Sequence, residues 1–405
     1  MPKHNLKEVS VIGNAPRLLA GFEAKLVFLR IFSSILRLAL RAYQDPLTAI
    51  RTSIALMAKK QAIVGRIKNI RLARSNGRYF WSIAATGWPS QAFDDFILNE
   101  MNKIRKFRAQ KGFLQSIVFS ITSRCPLFCE HCYEWDQLSE REQLSLPELI
   151  SILHEFQSYG VSNVQFSGGE PLCRFDDLIA LMDSARPGTD FWVLTSGFGL
   201  TAEKAARLAK AGLAGVVISL DHFEAQAHNQ FRHHEDSYRW VFEASQNASQ
   251  AGLVVAFSLC AARSFVTSQN LRRYLDLAKR SGVMMVRILE PRTVGHYRGC
   301  DIELDEARIA LLTRLYLTNI HAPSHLTMPI LEYSGYYQRH YGCFAAGDRS
   351  LYVDTRGDVH ACPFCQNPVG NALRDPLPPL VLKLQEVGCH KFKYRISEAE
   401  ISEHM

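Results

Sequence analysis

No stretch of this 405-residue chain is apolar for long enough to span a bilayer, because Arg30 and Arg37 interrupt its long apolar run after Gly21. The opening residues, MPKHNLKEVS, lack the apolar core and cleavage site of a secretory signal. A cytoplasmic location is therefore expected, and the ten cysteines are not expected to form a disulfide framework. With 24 glycines and 16 prolines in no short-period repeat, collagen-like and low-complexity architectures are excluded. Acidic residues are scarce at one end only. Residues 1–112 hold 6 Asp and Glu against 20 Lys and Arg, a net +14, whereas the remaining 293 residues are net −6. The first quarter should therefore meet something anionic.

What the chain does have is a core-forming composition, 47% hydrophobic and 10% aromatic. Short β-branched and aromatic runs occur at Ser116–Thr122, Val164–Ser167, Phe191–Thr195, Val216–Leu220, Val254–Leu259 and Met284–Leu289. Helical patterns separate them at Leu146–Tyr159, Phe175–Ala185, Ala202–Ala211, Tyr238–Gln250 and Asn270–Arg280. Gly160, Gly212, Gly252 and Gly282 stand where helices should stop. Strands alternating with helices and no intervening hairpins predict a parallel sheet covered by helices. Before this core the pattern predicts helices at Phe22–Tyr43 and from Pro46 to about Gly65. A hairpin of Ile67–Ala73 with Arg78–Ala84 around Ser75-Asn76-Gly77 follows, then a helix at Gln91–Phe107. A further helix is expected at Leu304–Ile320 before a turn-rich tail.

The cysteines fall into zones. Cys125-Pro-Leu-Phe-Cys129-Glu-His-Cys132 is a CxxxCxxC in the loop after the first strand of the core. Three thiolates so close can hold three irons of a [4Fe–4S] cluster and leave the fourth open, or they can form a zinc knuckle. Ser167-Gly168-Gly169-Glu170-Pro171 ends the second strand. Its glycines admit close backbone approach, and its carboxylate can receive an ammonium.

In this order the two motifs resemble those of the radical S-adenosylmethionine (SAM) enzymes, over about residues 115–295. The resemblance implies an α/β fold with a partial (β/α)6 barrel. It also implies reductive cleavage of SAM to a 5′-deoxyadenosyl radical, which abstracts hydrogen from an unactivated carbon. Cys125, Cys129 and Cys132 would be the cluster ligands. Tyr133 would lie beside the adenine, and Gly168, Gly169 and Glu170 would meet the methionine amine. Ser219 would contact the ribose or carboxylate, and Arg232 the carboxylate. Thr195-Ser196-Gly197 departs from the family's Thr-Asn-Gly and leaves the ribose contact of Ser196 open. Glu290 and Asp221, at strand ends, are the candidate catalytic groups. Cys173, Cys260 and Cys300 are expected to be buried packing thiols.

A second resemblance lies in the tail. Cys343, Gly357, Cys362 and Cys365 are spaced like the opening of a SPASM/twitch extension, with a hairpin over 350–360. The further cysteines of a full SPASM domain are missing. Cys343, Cys362, Cys365 and Cys389 suffice for one auxiliary [4Fe–4S] cluster, as in the shorter twitch arrangement, or for a structural zinc.

The expected organisation is thus a basic N-terminal extension (1–112), the partial barrel (113–300), and a linker helix with a small α+β auxiliary-cluster domain (301–405). An oxygen-sensitive enzyme acting on a peptide, by oxidation, cross-linking or rearrangement, is the first functional expectation. Its partner would be a one-electron donor such as flavodoxin or ferredoxin. The second is the same chemistry on a lipid, lipid-linked or sugar-type molecule at a membrane surface. The remote one is a non-catalytic zinc protein that binds nucleic acid. The first helix carries Arg30, Arg37 and Arg41 with Ser33 and Ser34 on about a third of its circumference. It reads either as a helix buried against the barrel or a second protomer, or as an interfacial helix on anionic lipid.

Overall fold

The computed structural model describes residues 15–64, 68–109 and 114–392. Gly65, Ile67 and the expected boundary between 112 and 113 lie outside the described residues. The N-terminal unit runs β1 (Arg17–Ala20), α1 (Gly21–Ala42), α2 (Pro46–Val64), β2 (Arg71–Ser75), β3 (Arg78–Phe80) and α3 (Gln91–Ile104). The core follows as β4 (Ser116–Ser120), α4 (Leu146–Ser158), β5 (Asn163–Ser167), α5 (Phe175–Ser184), β6 (Asp190–Thr195), α6 (Ala202–Lys210) and β7 (Leu213–Ser219). It continues as α7 (Ala225–Arg232), α8 (Ser237–Gln250), β8 (Val254–Cys260), α9 (Ser268–Arg280) and β9 (Met285–Leu289). The last part holds α10 (Glu306–His321), β10 (Ile330–Tyr333), α11 (Ser334–Tyr341), β11 (Ser350–Val353), β12 (Asp358–His360), β13 (Gly370–Asn371) and α12 (Leu377–Val387).

Strands β4 to β9 pair in sequence order, all parallel, as the strand–helix alternation predicts. The sheet stays open, a partial barrel. The tail joins it at both edges: β10 pairs in parallel with β9, and β11 with β4, where Tyr352 stands opposite Val118. The hairpin expected between Cys343 and Cys362 is β11–β12. Its strands therefore continue the barrel sheet. The four expected glycine stops all adopt positive φ, where side-chain-bearing residues are disfavoured.

In the N-terminal unit, β1 was not expected; it pairs with β2 to make a three-stranded antiparallel sheet with β3. Four residues with no alternation give too short a pattern to read as a strand. The hairpin strands are also shifted, ending at Phe80 rather than Ala84. Phe80, Ala73 and Ile83 leave the unit's own core and pack with Trp192, Val217, Ala256 and Met285, plugging the strand-start end of the barrel. Phe80 meets Trp192 edge-on at 5.8 Å. Arg78 pairs with Asp190 at the first residue of β6. Buried Arg71 donates to the carbonyls of Asn319, His325, Met328 and Pro329. Part of the basic surplus is thus spent holding this unit to the barrel.

Helix α1 buries Ala24, Val27, Ile31, Ile35 and Ala39, a stripe at spacings of three and four, against a core that includes Leu56, Phe93, Ile97 and Met101. Among the described residues no helix is long and apolar enough to cross a membrane.

Candidate functional site

Loops at the strand ends of β4 and β5 carry the two motifs, as expected where parallel strands deliver their chemistry. They are locked to each other by backbone. The amide of Gly169 donates to Thr122 O at 2.7 Å, and that of Glu170 to Arg124 O at 2.8 Å. Gly168 has φ 134°, and a Cβ at Gly168 or Gly169 would run into the carbonyl oxygens of Thr122 and Arg124. The close approach these glycines permit is to the cysteine loop itself.

Cys129 is buried, and Cys125 and Cys132 are partly so. Burial raises all three thiols, that of Cys132 to about 12. Arg232, on α7, lies 3.5 Å from Cys129 Sγ. The same helix region holds the loop through Glu130 N to Phe231 O at 3.1 Å and through His131 stacked on Phe231. From the far side the turn after β9 clamps it. The amide of His296 donates to Cys132 O at 2.9 Å, its Nδ1 lies 2.9 Å from Cys129 O, and its ring stacks on Trp135 at 3.7 Å. A Cβ at Gly295 would collide with Cys132 O. His296, Trp135 and Gly295 escaped sequence reasoning, since nothing local ties residue 296 to residue 132.

Several of the expected site residues are engaged with one another or with their surroundings. Glu170 is 1% exposed, and each of its oxygens already accepts two hydrogen bonds. Oε1 accepts from Thr195 Oγ1 (2.7 Å) and Leu172 N (3.2 Å), and Oε2 from Ser196 N (2.7 Å) and Oγ (2.6 Å). These contacts tie it to the β6 end. Ser196, whose ribose contact was open, spends its hydroxyl on that carboxylate. Arg232, expected on the SAM carboxylate, pairs with Asp221 at 2.6 Å, both side chains being buried. Asp221 also accepts from Cys260 N at 2.9 Å. Burial would raise its carboxyl, but Arg232, His131 and His228 outweigh that and hold it below the usual carboxylate value. Ser219 lies half-buried at the end of β7.

Glu290 is held in a similar way. Arg339 grips it through two nitrogens at 2.6 and 2.8 Å, Tyr333 donates to it at 2.7 Å, and Arg292 lies 3.5 Å away. Burial raises its carboxyl, yet Arg339, Tyr333 and Arg292 together hold it below the ordinary glutamate value. That stabilisation is complete above the unfolded value of about 4.3 and is lost as pH falls through the lower folded one. Glu290→Gln is therefore expected to cost about 2 kcal/mol at neutral pH. The gap to wild type, read by denaturant titration, should shrink below about pH 4. A gap unchanged at acid pH would show that the carboxylate charge is not what holds Arg339.

A buried polar network joins the cysteine loop to the tail. Tyr133 OH lies 2.7 Å from Ser167 Oγ, and its ring meets Tyr352 (5.9 Å) and Phe364 (6.2 Å) edge-on. Glu134, next in sequence, accepts from Ser120 Oγ at 2.7 Å and from Tyr352 OH. Glu134 and Tyr352 were missed, because their contact spans 218 residues. Beyond them Asp354 meets His360 Nε2 at 3.3 Å, and His360 Nδ1 lies 3.1 Å from Cys365 O.

The tail thiols gather in two pairs. Cys362 and Cys365 lie 3.5 Å apart, and the Cys343 and Cys389 thiols share a hydrogen bond. Each pair feels the charge of the other. The Cys343 thiol, helped by Arg292, lowers Cys389 to about 5. Among the described residues no three Cys, His, Asp or Glu side chains converge closely enough to hold a single ion. Of the three expected packing thiols, Cys260 is buried and Cys173 partly so, but Cys300 is exposed on the turn after β9.

A family model described as the radical SAM superfamily matches residues 119–278. The chain is 32% identical over 278 residues to the PqqA peptide cyclase of Streptomyces rochei, covering 64% of this chain and 73% of that protein. It is 29% identical over 286 residues to the mycofactocin maturase MftC of Mycolicibacterium smegmatis, covering 64% and 67%. Among solved structures it is similar in fold to Streptococcus suis SuiB bound to its precursor peptide SuiA, with TM-score 0.56, 15% identity, and 71% and 69% coverage. It also resembles anSMEcpe with bound AdoMet, with TM-score 0.53, 14% identity, and 70% and 85% coverage.

Proposed function

The chain belongs to the radical SAM superfamily, whose enzymes use a [4Fe–4S] cluster and SAM, and on that footing we propose that it modifies a peptide. As an enzyme of that family it is not the non-catalytic zinc protein of the remote reading. The observation that carries the proposal is the CxxxCxxC loop locked by backbone to the GGEP loop, in a chain a third identical to a peptide cyclase.

Cys125, Cys129 and Cys132 would hold the cluster. The donor set fits: three soft sulfur ligands stand in surroundings whose burial disfavours free thiolates, and a bound metal would deprotonate them. When bound, the cluster supplies the electron that cleaves SAM reductively and so permits hydrogen abstraction. Tyr133, Gly168, Gly169 and Ser219 would border the SAM site. Glu170 and Ser196 would hold its wall, and Asp221 would fix Arg232 beside Cys129. Cys343, Cys362, Cys365 and Cys389 would hold an auxiliary cluster, four thiols being enough for one. The three regions proposed for the chain are then the basic unit, the barrel and the auxiliary-cluster tail. A one-electron donor such as flavodoxin or ferredoxin would reduce the first cluster, and the product would be an oxidised, cross-linked or rearranged peptide.

Deuterium transfer tests the substrate class. Loaded protein, SAM and reductant, kept anaerobic, are mixed with the soluble fraction of fully deuterated host cells, and 5′-deoxyadenosine is weighed by mass spectrometry. Label is expected, and it should vanish when the fraction is digested with protease beforehand. Label that survives digestion would refute a peptide substrate and turn attention to lipid or sugar-type molecules.

A further inference from the structure

Eleven large apolar side chains are exposed among the described residues, and seven of them crowd onto two helices of the N-terminal unit. Phe22 (75% exposed), Leu26, Leu29 (63%) and Leu40 lie on α1, and Leu47, Ile50 and Ile54 (58%) on α2. Helix α1 is thus apolar on two sides. Its stripe around Ile31 is buried, and at about 100° per residue Phe22, Leu29 and Leu40 fall on the opposite face. Arg30, Arg37 and Arg41 run along one flank of that outer face, with Lys25 on the other, and all four are exposed. On α2, Leu47, Ile50 and Ile54 repeat at spacings of three and four beside exposed Arg51.

Residues 21–64 hold seven Lys and Arg against two acids. Both acids are occupied: Glu23 pairs with Arg17, and Asp45 accepts from the amides of Leu47 and Thr48 at the start of α2. Beyond this segment Asp94 on α3 feels the charges of Arg37 and Arg41, and it is one acid against the whole basic row. An apolar face bordered by such an excess of arginine is complementary to an anionic lipid surface, where side chains enter the acyl boundary and guanidinia meet headgroups. A two-fold pairing with a second copy would instead set the same arginines against each other.

We propose that the α1–α2 face docks this protein peripherally on anionic membrane, without spanning it. The inference is independent of the reaction assigned to the barrel. It also leaves the motif loops free, since the N-terminal unit is anchored at the strand-start end and those loops lie at the strand ends.

The test is co-sedimentation of the full-length protein with extruded vesicles of equimolar phosphatidylglycerol and phosphatidylcholine. Binding is expected there, with little on phosphatidylcholine alone and release at about 0.5 M salt. Arg30→Gln, Arg37→Gln and Arg51→Gln together should weaken it on the order of a hundredfold, since each basic residue near the surface counts about fivefold. Phe22→Ser, Leu29→Ser and Ile54→Ser together should abolish it with the melting temperature unchanged. No binding to anionic vesicles, or binding indifferent to both variants, overturns the proposal. So does a dimer, measured by light scattering, that the serine variant dissociates in the absence of vesicle binding.

Discussion

Cys129→Ala is expected to reduce anaerobic 5′-deoxyadenosine formation to the level seen without protein. Cys129 is the most buried of the three loop thiols and the one that Arg232 faces. Its loss would remove a proposed ligand and leave a guanidinium with half of its partners. Iron and acid-labile sulfide per chain should fall by one cluster, and the fall should be additive with that produced by Cys365→Ala, which strikes the tail site. Cys365→Ala is the informative companion. If it lowered iron while Cys129→Ala did not, the loop thiols would not be cluster ligands, and the assignment of the two sites would have to be redrawn. Turnover persisting in Cys129→Ala would show the same thing by activity.

The second large effect concerns stability. Arg232→Met leaves Asp221 buried without its counter-charge, and breaking such a pair from one side costs about 3–5 kcal/mol. Removing both partners is far less damaging, since the charge that would be stranded is gone. Arg232→Met with Asp221→Asn is therefore expected to regain more than half of the loss, read as thermal midpoints of the unloaded protein. The single variant alone could be explained by lost packing of a large side chain, and recovery in the double variant separates the two causes. A double variant no more stable than Arg232→Met would mean that the pair contributes little and that the guanidinium acts through Cys129 or through packing.

The same pair illustrates which roles the sequence left open. Asp221 ends a strand and Arg232 ends a helix, and either could have faced a ligand. Only the fold of α7 back onto the residues that follow β7, where Asp221 N donates to His228 Nδ1, turns them toward each other. Glu170 is a similar case. Its place in GGEP was plain, but its consumption by Thr195 and Ser196 depends on the register of β5 against β6.

What the sequence by itself determined was the order and type of the core elements, the short helix α7 apart, and the position of the cysteine-bearing loops. Both follow from local rules: alternating apolar periods, glycine stops, and a first motif whose cysteines lie within eight residues of one another. The tertiary structure alone decided what these loops rest on. Tyr352 reaches Glu134 across 218 residues, Arg71 grips Asn319 across 248, and His296 closes on Cys129 across 167. It also decided that α1 would keep two apolar faces, one buried and one open. The helical period shows how much apolar surface a helix carries, but which part is covered depends on neighbours far away in the chain.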